Sequence, residues 1–240
     1  MFPYDPSLAE AVQVPPESIA DVLRIMQTIE NTCEGGDGLK WFNGVYLDVT
    51  KAVAQRVASS GFSDPTWIAL LDVEFAKLYF NALGSALGGQ PCPGCWRVLF
   101  DCRHWSAIAR IQFALAGMNA HINRDLPQAI VSTCQLTSAP PLHDTAQYKD
   151  YTGLNPTLDS LIESAKQTLQ VRLLGDPLPS VSHLEDTLAA WSLTVARENA
   201  WQNAEVLWHV QSLPDAPSSF MNGLDGLTTV VSKAILVPVP

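Results

Sequence analysis

Apolar residues recur along this chain at intervals of three and four, the period of an α-helix buried on one side. The first such stretch covers about 16–33. Pro16 stands at its start, and Ile19, Val22, Leu23, Met26 and Ile29 form its stripe. Gly35-Gly36-Asp37-Gly38 breaks it. A second helix is predicted over 39–59, with Phe42, Val45, Tyr46, Val49, Val53 and Val57 facing inward. A turn at 61–65 leads into a helix over 65–87, which Ser63 or Asp64 can cap. This helix is apolar around most of its circumference and is expected to be central.

Beyond the Gly- and Pro-rich loop 88–94 the pattern predicts a long helix over 96–123 and a shorter one over 126–135. An extended connection is expected over 137–154, then a helix over 156–174. A capping-box-like Ser182-His183-Leu184-Glu185 opens another that runs to about 211. A last helix covers 218–236, and the prolines at 238 and 240 end it. No clean alternating run marks a strand. The expected fold class is all-α, an elaborated bundle of about seven or eight helices with no significant sheet. A single domain is expected, with a motif-bearing half at 16–136, a loop at 137–154 and C-terminal helices at 155–236.

Composition narrows this picture. Hydrophobic residues make up 47% and charged residues 16%, which implies a large core, an apolar cavity or a subunit interface of a homo-oligomer. The formal net charge of −10 speaks against nucleic acid and against an anionic membrane surface, since both need a basic face. The N-terminus has no basic, then apolar, signal pattern, and no apolar run is long enough to span a bilayer. Five cysteines, an odd count, fit reduced thiols and a cytoplasmic location.

The densest polar segment is Gly117-Met118-Asn119-Ala120-His121-Ile122-Asn123-Arg124-Asp125-Leu126-Pro127. If it is helical, Asn119 and Asn123 share one face and His121 and Asp125 another. A carboxylate one turn from a histidine can orient the ring and raise its basicity, as a general base requires. The bland alternatives are an Asp125 N-cap, an Asn123 helix end and a satisfied core histidine.

Here the chain resembles a helical domain family of unknown function. The resemblance rests on Phe42-Asn43-Gly44-Val45-Tyr46-Leu47-x-Val49-Thr50, on Leu71-Asp72-x-x-Phe75-Ala76-x-x-Tyr79, and on the segment from Gly117 to Pro127. A weaker echo is Ala196-Arg197-Glu198-Asn199-Ala200-Trp201-x-x-Ala204. The resemblance implies a helical fold, and it implies that Asn43, Asp72, Asn119, His121, Asn123 and Asp125 converge on one polar site. It implies no activity.

Other chemistry is weighed against these residues. His121-x-x-x-Asp125 copies a ligand spacing of helical zinc phosphoesterases, but the further histidines of that pattern are missing. Cys92, Cys95, Cys102 and His104 form a second candidate metal set, and Cys92-x-x-Cys95 a candidate redox pair. P-loop, Gly-x-Ser-x-Gly and dinucleotide motifs are absent. Seven tryptophans fill a core or wall an apolar pocket.

The reading that results is a cofactor-free enzyme of specialised metabolism acting on a small, mostly apolar molecule by cyclisation or isomerisation. His121, Asp125 and Asp72 are the candidate catalytic residues, with Asn43, Asn119, Asn123, Tyr46, Tyr79 and Trp201 against the substrate. The alternatives are a zinc hydrolase on His121 and Asp125, and a non-catalytic helical binding protein.

Overall fold

The computed structural model describes residues 2–173 and 192–238. Those residues form α-helices and no strand. In chain order they are α1 (Asp5–Ala11), α2 (Ile19–Thr32), α3 (Gly38–Ala58), α4 (Pro65–Leu87), α5 (Gly94–Cys102) and α6 (Arg110–Ala120). A π-helical turn, His121–Asp125, joins α6 to α7 (Leu126–Thr137). Next come α8 (Ala146–Thr152), α9 (Asn155–Leu173), α10 (Leu193–Val210) and α11 (Ala216–Ile235). No described helix is long and apolar enough to cross a membrane.

Local chemistry sets the helix starts that the sequence marks. Ser18 accepts from the Asp21 N–H to open α2, Asp37 from the Leu39 N–H to open α3, and Asp64 from the Trp67 N–H before Pro65 in α4. The expected start of a helix at Ser182 lies outside the described residues. In the expected extended connection, Thr145 caps the short helix α8 through the Tyr148 N–H.

The predicted long helix over 96–123 is instead two helices. The chain leaves α5 after Cys102 and resumes at Arg110. Arg103, buried at the break, forms an ion pair with Asp5 and lies 3.5 Å from Asp37. Its carbonyl accepts the Gly38 N–H. Two buried carboxylates thus need one guanidinium, and bringing it there costs the helix a turn. No glycine or proline at 103–109 announces this.

The most enclosed helix is α6, in place of the expected 65–87 helix. Every residue from Ile111 to Ala120 is buried, whereas α4 keeps a partly exposed side. Helix α6 packs on α3, α5, α9 and α11, and α7 packs on α4 and α10. Small residues allow the tightest approach. At Gly117 the Phe42 ring of α3 occupies the space a Cβ would need. Gln112 fastens the far end: it accepts from the Ala109 N–H and donates to the carbonyls of Ile235 (2.7 Å) and Val237 (2.8 Å).

Because Phe42 is fully enclosed and cannot swing aside, Gly117→Ala should destabilise the protein by roughly 1–3 kcal/mol. Gly223→Ala in α11, where a Cβ meets nothing, should instead stabilise it by about 0.5–1 kcal/mol. Urea midpoints of the two variants check both signs.

Candidate functional site

The turn His121–Asp125 is where the helix makes room for a proline. In a regular α-helix the Pro127 ring would strike the carbonyl four residues back, at Asn123. The Leu126 N–H instead bonds the His121 carbonyl, five residues back, which widens the turn. The chain therefore passes from α6 into α7 without stopping. Both side-chain pairs read from the segment form: Asn123 donates to Asn119 Oδ1 (2.9 Å), and His121 Nδ1 lies 3.2 Å from Asp125 Oδ2.

Asp125 is completely buried. Its Oδ2 also accepts from the Trp96 indole N–H of α5 (2.8 Å), and its Oδ1 from Arg124 (2.7 Å). With a carboxylate beside Nδ1, the proton of a neutral imidazole sits on Nδ1 and Nε2 keeps its lone pair. Burial lowers the His121 pKa and Asp125 raises it, with burial the stronger effect, so the ring is neutral at pH 7. His121 Nε2 has no hydrogen-bond partner. The ring is locked by packing: Phe75 stacks on it at 3.4 Å and 6°, and Tyr46 and Phe42 meet it at 4.5 and 5.8 Å.

His121 forms part of the wall of an apolar cavity of about 60 Å³. Phe42, Val45, Tyr46, Val49, Phe75, Met118, Ile122, Leu158, Ile162, Leu193 and Arg197 complete the lining. The Tyr46 hydroxyl is buried and unpartnered, and burial holds its pKa well above the phenol range. Asp72 on α4 adds to that shift, so its carboxyl acts on Tyr46. Burial pushes Asp72 itself up to about 7, and its Oδ2 lacks a partner.

The structure brings together His121, Asp125 and Tyr46, with Asp72 behind the tyrosine. It places the three asparagines at helix junctions. Asn43 donates to the Met26 carbonyl (3.0 Å) and to Glu30 (3.4 Å), tying α3 to α2. Asn119 donates to the Thr228 carbonyl and to Ser232, both at 3.0 Å, tying α6 to α11. Asn123 holds Asn119 in that pose. Their expected convergence on one site with His121 does not occur: each amide nitrogen is spent on a backbone carbonyl or a neighbouring side chain, while Asn43 Oδ1 stays buried without a partner. Tyr79 packs 5.1 Å from Phe42 and 5.2 Å from Trp96, behind the site. Trp201 sits in a separate cluster with Trp67, Tyr148 and Tyr151.

Neither candidate metal set assembles. Among the described residues no three His, Cys, Asp or Glu side chains converge as ligands. Cys95 begins α5, where Asp225 of α11 accepts the backbone N–H groups of Gly94 (2.8 Å) and Cys95 (3.1 Å). The Cys102 thiol donates to the Val98 carbonyl, and the His104 ring packs at a tilt against Phe2. All five cysteines are free thiols. Burial pushes Cys95 upward and Cys102 to about 11, the opposite of a redox-active thiol. His121 and Asp125 meet each other through Nδ1 and Oδ2.

Trp96 and Phe75, which fix Asp125 and the imidazole plane, were not among the residues expected at the site. Phe75 stands in the second motif, and Trp96 was legible only as one of several tryptophans.

Asp72 holds its proton to higher pH folded than unfolded. Its contribution to stability is therefore fully present below about pH 4 and is lost as pH rises to 7. Asp72→Asn should remove that decline, so the variant gains on wild type between pH 5 and pH 8. Urea midpoints at the two pH values measure it; equal differences at both would mean Asp72 titrates normally.

No curated protein and no solved structure matches the chain. A family model does match, over residues 19–238 and so across every helix from α2 to α11. The chain, with its histidine–aspartate pair enclosed between these helices, belongs to that family, DUF5995, a family of unknown function.

Proposed function

We propose that this protein is a cofactor-independent enzyme that moves a proton on a small, mostly apolar substrate, in an isomerisation or cyclisation. One observation carries the reading: a neutral, buried histidine with Nδ1 on a carboxylate and Nε2 unbonded at the wall of an apolar cavity. A core histidine kept for structure alone is expected to bond both nitrogens, because an orphaned buried acceptor costs roughly 1–3 kcal/mol.

In this mechanism Nε2 takes a proton from the substrate while Asp125 stabilises the imidazolium that forms. Trp96 and Arg124 hold Asp125 in place, so little reorganisation is needed as charge develops. The Tyr46 hydroxyl, free and close to the ring, donates a hydrogen bond to the substrate oxygen that gains electron density. His121 then returns the proton at a new position. The cavity, at about 60 Å³, is far below the several hundred Å³ of pockets that enclose drug-sized ligands. Only a small molecule, or the reacting end of a longer one, fits beside the His121 ring, and the closely packed side chains around Nε2 must shift for it to reach that atom.

Supporting the second reading, a non-catalytic helical protein, are the asparagines, which tie helices together. Solvent deuterium separates the two. Small carbonyl compounds with an acidic C–H, incubated with the protein in D2O, should gain deuterium at that carbon. His121→Gln should slow the exchange by roughly 10²–10⁴-fold while keeping the helical circular dichroism spectrum. Exchange that His121→Gln leaves unchanged, or no exchange across the panel, would rule out the enzyme reading.

A further inference from the structure

The cavity beside His121 contains one charged side chain, Arg197 of α10. Its residue is 7% exposed. The guanidinium donates from Nε to Asn155 Oδ1 (2.7 Å) and from a terminal nitrogen to the Tyr151 carbonyl (2.7 Å). It lies over the Tyr151 ring, with Cζ 3.9 Å from the centroid. These contacts fix its plane, but every one is with a neutral group.

Two other guanidinium groups, that of buried Arg103 and that of partly buried Arg124, are neutralised. Arg103 pairs with Asp5 and Asp37, and Arg124 with Asp125. Among the described residues no carboxylate pairs with Arg197. The charge of Asp159 acts on it, but that side chain is exposed and accepts from Thr194. Glu198, the next residue, is engaged by His143, Tyr148 and Gln202. Burial pulls the Arg197 pKa down, the mark of a cation lacking a counter-charge. A buried, immobilised and unpaired guanidinium in an apolar cavity carries a desolvation cost that a bound anion would offset.

Resting on the reading of His121 as the proton-transfer base, we infer that the substrate is a small carboxylate anion and that Arg197 holds its carboxylate. Nε is spent on Asn155 and one N–H of a terminal nitrogen on Tyr151, which leaves the end of the fork, the remaining N–H groups of the two terminal nitrogens, to meet a planar carboxylate. A phosphate dianion would call for more donors than this lining offers: besides Arg197 it supplies the Tyr46 hydroxyl among apolar side chains, since the His121 proton is held on Nδ1 by Asp125. The substrate then lies across the cavity, its anionic end on α10 and its apolar body against Phe75, Val49 and Ile162. The carbon that loses its proton faces Nε2.

Butanoate tests the inference on the full chain, with butanamide and inorganic phosphate as controls. Butanoate should raise Tm saturably, and butanamide and phosphate should not. Arg197→Met should weaken butanoate binding on the order of a hundredfold, and Arg197→Lys should recover part of it. Should the variants not fold, the Arg197 terminal guanidinium (Nη) resonances of the wild type should still shift on butanoate titration and stay fixed with butanamide. Equal protection by butanamide or phosphate, or a resonance that butanoate leaves in place, overturns the inference. The acid–base reading survives that outcome, with a neutral substrate. Butanoate binding through Arg197 alongside deuterium exchange indifferent to His121 would do the reverse, leaving an anion site without the enzyme.

Discussion

A carboxylate buried without water must be surrounded by donors, and the Asp125 carboxylate sets this requirement for the whole molecule. Its partners come from separated places: Trp96 from α5, His121 and Arg124 from its own turn. Each is held in turn. Asp225 of α11 caps α5, which positions Trp96. Phe75 of α4 and Phe42 of α3 confine the imidazole. Gly117 admits Phe42 by lacking a side chain. The satisfied anion, the widened turn around Pro127 and the close α3–α6 contact are one arrangement viewed from different elements.

Polar residues in this core divide by whether their bonding capacity is spent. Asn119, Asn123 and Gln112 spend theirs on other helices or on the chain's last turn. An amide bonded to a backbone carbonyl that would otherwise be orphaned is worth keeping for stability alone. His121 Nε2, the Tyr46 hydroxyl and Asp72 Oδ2 are left unspent in the interior. Among the unmade hydrogen bonds of the described interior, which also include Asn43 Oδ1, the Tyr79 hydroxyl and the Trp67 and Trp201 indoles, those of His121 and Tyr46 belong to residues that share the wall of one cavity. The same accounting sets Arg197 apart from Arg103 and Arg124. All three are buried or nearly so, and only Arg197 faces neutral partners.

Hydrophobic period and capping chemistry are local, and they carried the helices: α2, α3, α4, α9 and α11 stand within a few residues of the stretches the apolar stripes mark. The spacing of His121 and Asp125 was also readable, because one helical turn joins them whatever the rest of the chain does. The break at Arg103 was not, since its cause is a pair of carboxylates far back in the chain, Asp5 and Asp37. Nor was the fate of the asparagines. Asn43 and Asn119 sit in equally polar motifs beside the residues of the site, yet their partners are carbonyls on α2 and α11. By itself, then, the sequence determined most of the helices and the one histidine–aspartate pair. Tertiary structure alone decided which polar groups are consumed in holding helices together and which stay unbonded, because hydrogen-bond satisfaction depends on neighbours distant in the chain.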